Sequence, residues 1–313
     1  MTAMILRRLA MAVPTLLGVS IIVFALMTIL PGDPLASLLS QDATQADRDA
    51  LAKSLGLDKP IYVRYVNWLG GVFEGDFGYS PYRRRDVGGL LTSAFSNTLQ
   101  LATASIAIGV TSGLCLGVLG AVFRERLVGR VVSSVAMVGI SIPSYWVAIL
   151  LIILFSATLR WLPAGGMHGE GGGSVDFLKH LLMPAFASSL VTTGVTARMA
   201  RASLLETYGQ DFVATLRAKG LSGFQVLRHV AKNALSPVLT VAGLQVGFLL
   251  GGSVLVETIF SWPGLGRLIF QSISTRDFQT MQAGILLIAT TFVLVNLIVD
   301  LIQISVDPRL RKA

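Results

Sequence analysis

The sequence predicts an all-α polytopic membrane protein with six transmembrane helices and a small extracytoplasmic helical segment. Three observations carry that prediction. The 313 residues are 53% hydrophobic and only 13% charged, with a mean hydropathy of +0.71, whereas a soluble domain carries about a quarter charged residues. Six stretches stay apolar over the ~20 residues that cover a hydrocarbon core of roughly 30 Å at 1.5 Å rise. Lys and Arg are spread unevenly about those stretches, as a membrane orientation signal requires. Composition therefore argues against a cytosolic enzyme, and the net charge of +8 is to be read by its placement.

The expected spans are residues 9–30, 98–123, 131–158, 181–200, 235–255 and 283–306. Arg7 and Arg8 before the first run resemble the start of a signal peptide, but the run is followed by Pro31-Gly-Asp-Pro34 rather than a small-x-small cleavage site, so it reads as an uncleaved anchor. The third span exceeds what a bilayer needs, which predicts tilt or an overhang. Pro143 in the third span and Pro184 in the fourth remove backbone donors and predict kinks, natural places for a pathway or a hinge.

Gly109, Gly113 and Gly117 repeat at i+4 in the second span, and Gly243, Gly247 and Gly251 do so in the fifth. Such stripes let helices approach closely in lipid. Either they pack inside the chain, or one lies where two membrane subunits meet or slide. Cys115, the single cysteine, is expected to be a small packing residue. Gln245 and Asn296 either line a polar route or bond between helices. Asp300 is placed to snorkel or to pair with a terminal Arg near a helix end, a proton relay being the alternative.

Six spans put both termini on one side. The segments on that side, with the two loops it shares, hold 14 Lys/Arg against 4 acids, and the opposite segments hold 11 against 12. The first set is expected to be cytoplasmic. The chain then divides into an N-terminal span with an extracytoplasmic segment, 1–97, a five-span core, 98–306, that includes a cytoplasmic loop at 201–234, and a tail, 307–313. Within the outer segment, Thr44 with Asp47 reads as a helix N-cap, Gly56 as a stop, and Pro60 as the first residue of a second helix ending near Phe73; a disordered loop is the alternative. Residues 165–174 are glycine-rich and expected to be flexible.

Motifs for covalent chemistry are not apparent. No GK followed by Ser or Thr occurs, and His168, His180 and His229 fall in separate segments. The informative stretch is the loop from Glu206 to Pro237. Phe212, Val213 and Leu216 have helical spacing before Gly220, a C-cap candidate, and Phe224, Leu227 and Val230 lie on one face of a second stretch, 222–234. Two short helices around a glycine corner suit a docking element for a cytosolic partner, or an anchor lying on anionic lipid.

This loop resembles the EAA-type signature of binding-protein-dependent ABC importer permeases, in the form used by the dipeptide/oligopeptide/nickel branch. The resemblance rests on Ala218-Lys-Gly-Leu-Ser222, Arg228-His-Val230, Lys232-Asn-Ala234 and Pro237. It extends to LPGDP at 30–34, LGLDKP at 55–60, GDFGYS at 75–80, GGSVLVETIFSWPGLGRL at 251–268, NLIVD at 296–300 and DPRLR at 307–311. The Glu-Ala-Ala part of the general signature falls on Ala214, Thr215 and Leu216, so the acid is missing.

The resemblance implies a type I ABC importer permease fold in a bacterial cytoplasmic membrane, paired with a second, homologous permease, two cytosolic ABC ATPases and an extracytoplasmic solute-binding protein. It implies no catalysis and no cofactor in this chain, ATP and Mg being held by the ATPases, and no nucleic acid as partner. Leu216, Arg217, Ala218, Lys219, Gly220, Leu221 and Ser222 would form the ATPase-coupling helix and corner. Glu257, Trp262, Pro263 and Gly264 would gate the outer side or touch the binding protein, an ordinary re-entrant loop being the alternative. Di- and oligopeptides are the expected cargo; nickel, a metal chelate or glutathione on the same architecture is the alternative, and a proton-coupled secondary transporter a remote one.

Overall fold

A computed structural model of the chain describes residues 2–29, 44–54, 58–169 and 172–306. Pro31 to Pro34, Gly56 and the 307–311 motif lie outside the described residues.

Helix α1 (Thr2–Ile29) is followed by the short α2 (Gln45–Ser54) and α3 (Ile61–Glu74). Pro60 is the N-cap of α3 rather than its first residue, and Gly75 closes it in a left-handed conformation. Tyr65 and Trp68 on α3 meet Phe24 on α1 at ring separations of 5.4 and 5.6 Å, and the Tyr65 hydroxyl lies 2.8 Å from the Ser20 hydroxyl. The all-α class holds, with one small exception: β1 (Tyr79–Ser80) and β2 (Arg85–Asp86) form a short antiparallel hairpin, with Tyr79 opposite Asp86.

Helix α4 (Val87–Val122) begins eleven residues before the predicted span, because the Asp86 carboxylate accepts the Gly89 N–H at 2.8 Å and caps it. Its 36 residues run about 54 Å, longer than the apolar core of a bilayer. The predicted third span is not one helix. It is α5 (Leu127–Ser141) and α6 (Ser144–Leu151), the latter continued by a π-helical turn, Ile152–Thr158, and the two parts are bent by 99°. Pro143 has no N–H to donate, and Ile142 before it is extended at φ −85° and ψ 127°, which stops α5. Helix α7 (Ser174–Tyr208), by contrast, continues through Pro184.

After α8 (Asp211–Ala218), helix α9 (Gly223–Gly252) runs without interruption. The expected second short helix at 222–234 is therefore the first half of the fifth span. Helices α10 (Val254–Ile259), α11 (Leu265–Ser274) and α12 (Phe278–Val306) complete the chain.

Residues 10–29 of α1, α4, residues 223–251 of α9 and 278–302 of α12 are long and apolar enough to cross a membrane, and the bent pair makes a fifth if counted as one. Helix α7 falls below that hydropathy because of Ser188, Ser189, Thr192, Thr193 and Thr196. Of these, Ser188, Ser189, Thr192 and Thr196 are buried in the bundle.

The first glycine stripe explains how α7 is seated. A Cβ built on Gly109, Gly113 or Gly117 would lie 2.8, 2.7 or 2.6 Å from the Cβ of Thr192, Thr196 or Ala200, distances that side chains do not adopt. On another side Gly194 of α7 approaches the Ala136 carbonyl of α5, with 2.5 Å to a built Cβ. The second stripe faces α12: Gly243 meets Val299, Gly247 meets Phe292 and Gly251 meets Ile288. Both stripes are thus occupied by helices of the same chain, which overturns the reading that one of them forms a seam between two half-transporters. Cys115 is exposed on α4, so it is not a packing residue within the chain.

Candidate functional site

The bundle carries a constructed feature at each end. At one end α8 turns into α9 through residues 216–225. The Leu221 N–H donates to the Leu216 carbonyl at 3.3 Å and the Gly220 N–H to the Arg217 carbonyl at 2.9 Å, the paired bonds of a Schellman stop. That stop needs a left-handed residue, and Gly220 supplies it at φ +77°. Two residues later a capping box starts α9: Ser222 Oγ accepts the Gln225 N–H at 3.4 Å, and Gln225 Oε1 accepts the Ser222 N–H at 2.9 Å. The stretch Leu216 to Gln225 therefore encodes its own corner.

The corner is anchored by an apolar cluster. Val213 of α8, Val226, Val230 and Ala234 of α9, Leu204 of α7 and Ala121 of α4 are buried together, with Leu216 and Leu221 packed against them. Of the predicted coupling residues, Leu216 and Leu221 thus face inward, whereas Arg217, Ala218, Lys219, Gly220 and Ser222 are exposed. Beyond its two chain neighbours, no atom lies within 4 Å of where a Gly220 Cβ would sit. Phe224, which sequence reasoning placed on an apolar face, is 77% exposed beside the corner. A cleft of about 870 Å³ adjoins it, lined by Arg124, Arg126, Tyr208, Arg217 and Phe224 among others. Burial pushes the Tyr208 phenol above its usual pKa of 10.0, and Arg217 opposes that in part.

At the other end the α10–α11 turn is clasped to α4. Glu257 is fully buried. Its Oε1 accepts the hydroxyls of Thr98 at 2.8 Å and Ser253 at 2.9 Å, and its Oε2 accepts the Arg267 N–H at 3.0 Å. Thr98 Oγ1 also accepts the Leu265 N–H at 2.8 Å, and the neighbouring Asn97 donates its Nδ2 to the Pro263 carbonyl while its own carbonyl accepts the Trp262 indole N–H, both at 2.9 Å. Gly264 and Gly266 leave room for this carboxyl: a Cβ on Gly264 would lie 2.4 Å from Glu257 Cδ. Asn97 and Thr98 were not singled out from the sequence, since nothing local distinguishes them from other polar residues at a helix entrance.

The side chains of Glu257 and Trp262 are both fully buried, so neither offers a surface to a partner in this state; of the four predicted residues only Pro263 is exposed. The glycine-rich segment is also tied down where it is described: Gly166 N–H donates to the Phe260 carbonyl at 2.7 Å and Gly169 N–H to Asp176 Oδ2 at 2.6 Å. A second clasp, also unforeseen, joins the hairpin to α12. Asp277, 4% exposed, accepts the hydroxyls of Ser80 and Thr280, and Gln279 Oε1 accepts the Tyr79 N–H at 2.8 Å.

Gln245 lines a cavity of about 810 Å³ between α1, α7, α9 and α12, together with Ser188, Thr192 and Ser253. Among the described residues no Asp, Glu, Lys, Arg or His lines it, and Ser188 Oγ is buried without a hydrogen-bond partner.

The arrangement is that of a helical permease of the type I ABC importer class. A chain of the MetNI methionine ABC transporter in an inward-facing conformation shares the fold, with a TM-score of 0.57 and 22% identity over 70% of this chain and 96% of that one. The chain belongs to the family of binding-protein-dependent transport system inner membrane components: residues 113–312 match that family and residues 1–102 match its N-terminal component. A di/tripeptide transport system permease protein of Pseudomonas aeruginosa is 39% identical, with 99% of both chains covered. A dipeptide transport system permease protein of Escherichia coli K12 is 37% identical over the same shares, and a glutathione transport system permease protein of that strain is 38% identical over 98% of each chain.

Proposed function

We propose that this chain is one of two homologous permeases in an ATP-driven importer of di- and oligopeptides, with six crossings of which α7 is the most buried. In this reading the corner end is cytoplasmic, as the Lys/Arg excess favours, and both termini lie on that side. Two ABC ATPases hold ATP and Mg and grip the exposed corner residues Arg217, Ala218, Lys219, Gly220 and Ser222. An extracytoplasmic binding protein delivers the solute to the opposite end.

The observation that carries the coupling role is the hydrogen-bonded continuity of the corner with α9. Displacement of α8 has no loose joint in which to dissipate, since the Schellman stop leads directly into a capped helix of 30 residues, about 45 Å long, that runs into the bundle. ATPase closure then tilts α9 as a rigid body, and α12 moves with it through the Gly243, Gly247 and Gly251 contacts. Direction comes from the ATPases, whose closed dimer is favoured by nucleotide.

The peptide cargo is supported by the full-length relatives named for dipeptide and di/tripeptide transport, and by a cavity whose uncharged lining suits solutes that differ in side-chain charge. Glutathione is the second reading, supported by the relative named for it. Family membership leaves no place for the proton-coupled carrier considered at first. Proteoliposomes holding the complete complex and its binding protein should take up labelled dialanine only with ATP on the ATPase side; ATP-dependent uptake of labelled glutathione with none of dialanine would move the cargo to the second reading.

A further inference from the structure

The sequence places α3 outside the membrane, yet its side chains are distributed as on a helix that lies in a lipid boundary. At about 100° per residue, Tyr65 and Trp68 fall on one side, Tyr62, Val66 and Phe73 beside them, and Arg64, Asn67 and Glu74 opposite. Through Tyr65 and Trp68 the first side packs on Phe24 of α1. The second side is open: Tyr62, Val66 and Phe73 are 69, 63 and 82% exposed, and no residue of α3 is buried. Such a stripe is unfavourable in water, and its tyrosine suits the membrane–water interface.

The contact with α1 sets the depth of α3. The apolar run of α1 ends at Ile29. Phe24 lies five residues inside that end and Ser20 nine, about 7.5 and 13.5 Å along the helix. Ser20, 2% exposed, gives its own proton to the Leu17 carbonyl at 2.8 Å, so the Tyr65 hydroxyl is the donor in their 2.8 Å contact. The rings of α3 therefore meet α1 below the end of its apolar run, at the depth of about 5–10 Å where interfacial helices lie. Charge does not draw the segment there, since Arg64 offsets Glu74 and Lys59 offsets Asp58. Apolar area does.

We propose that α3 is an interfacial helix set into the leaflet opposite the corner, with acyl chains covering Tyr62, Val66 and Phe73 and with headgroups and water meeting Arg64, Asn67 and Glu74. The proposal rests on the membrane crossing of α1 and is independent of the cargo. Gly75 closes α3, the Gly78 N–H donates to Asp76 Oδ1 at 2.8 Å and the Tyr79 N–H to Gln279, so a short bonded link joins the lipid-seated helix to the hairpin clasp on α12. The bilayer thereby braces that end of the bundle.

The test places nitroxide labels in the complete complex, in phosphatidylcholine nanodiscs, on an assembly otherwise free of accessible cysteine. Val66→Cys and Phe73→Cys report the open side, Asn67→Cys the polar side and Ile22→Cys the exposed surface of α1. Labels at Val66 and Phe73 should be relaxed faster by oxygen, which concentrates in lipid, than by a water-soluble nickel chelate, with the order reversed at Asn67. Val66→Asp leaves the α1 contact intact and should lower the oxygen-to-nickel ratio at the Phe73 label, whereas Val66→Leu should not. Faster relaxation by nickel at both Val66 and Phe73 puts this side in water and overturns the proposal. Poor access of both reagents does the same, since a protein partner then covers the side, and so does an oxygen preference that appears only with anionic lipid. Absence of an oxygen preference at Ile22 would instead remove the crossing of α1 itself.

Discussion

Replacing Glu257 tests whether the α10–α11 turn is held by one carboxyl group. In Glu257→Gln one oxygen becomes an NH₂. If the remaining oxygen keeps Thr98 and Ser253, the new amide faces the Arg267 N–H across 3.0 Å, donor against donor. One hydrogen bond is lost and a buried N–H is left without an acceptor, a cost of about 1–3 kcal/mol. Glu257→Ala loses all three bonds and leaves a void beside Gly264, which raises the cost to about 3–5 kcal/mol. Thr98→Val removes the hydroxyl that serves both Glu257 and Leu265, so the double variant should show a coupling energy of about 0.5–3 kcal/mol. The assay is thermal unfolding of the purified complex followed by tryptophan emission, because Trp262 is fully buried in the same knot. Its emission should shift to the red in both Glu257 variants before the bundle melts. Glu257→Ala with unchanged unfolding and unchanged emission would refute the clasp.

Four further outcomes follow from other parts of the fold. A Cβ at Gly113 meets Thr196 Cβ at 2.7 Å and the Thr193 carbonyl at 2.8 Å, so Gly113→Ala must part α4 and α7 by several tenths of an ångström and should cost about 1–3 kcal/mol in unfolding assays. Cys115→Leu, on the exposed side of the same helix, should stay within about 0.5 kcal/mol. The raised Tyr208 pKa means that the folded state keeps its phenol proton to higher pH than the unfolded chain. Its contribution is therefore full below about pH 10 and lost as pH rises through the raised value, and Tyr208→Phe should remove that loss in a melting series run upward from pH 9. In a Cys115→Ala background, Asp58→Cys should react with an impermeant maleimide in spheroplasts and Lys219→Cys only after permeabilisation; labelling of both from one side would overturn the topology.

What the sequence made legible was what local chemistry encodes. The corner could be read because Gly220 marks a stop and an amphipathic stretch resumes at Ser222; the capping box that Gln225 completes was not singled out. Pro143 announced a break, although its 99° size depends on what α5 and α6 pack against. Helix ends were missed where a cap lay outside the apolar run: Asp86 starts α4 eleven residues early. The clasps were hidden because their partners are far apart in the chain, Thr98 with Glu257 and Ser80 with Asp277, and no periodicity links them. The glycine stripes were visible as patterns, but only the neighbouring Thr192, Thr196 and Ala200 show that the first is filled from within.

The central claim is that the corner transmits ATPase closure to the bundle, and a Gly220 series in ATP-driven uptake tests it most directly. The backbone at φ +77° costs a residue with a Cβ about 1–2 kcal/mol, whereas asparagine tolerates it, and the empty space around Gly220 means that no internal clash adds to that cost. Gly220→Asn should keep much of the uptake, Gly220→Ala should lower it, and Gly220→Trp should abolish it by filling the space an ATPase needs, with all three chains inserted in the membrane at wild-type levels. Wild-type uptake by Gly220→Trp would contradict the account.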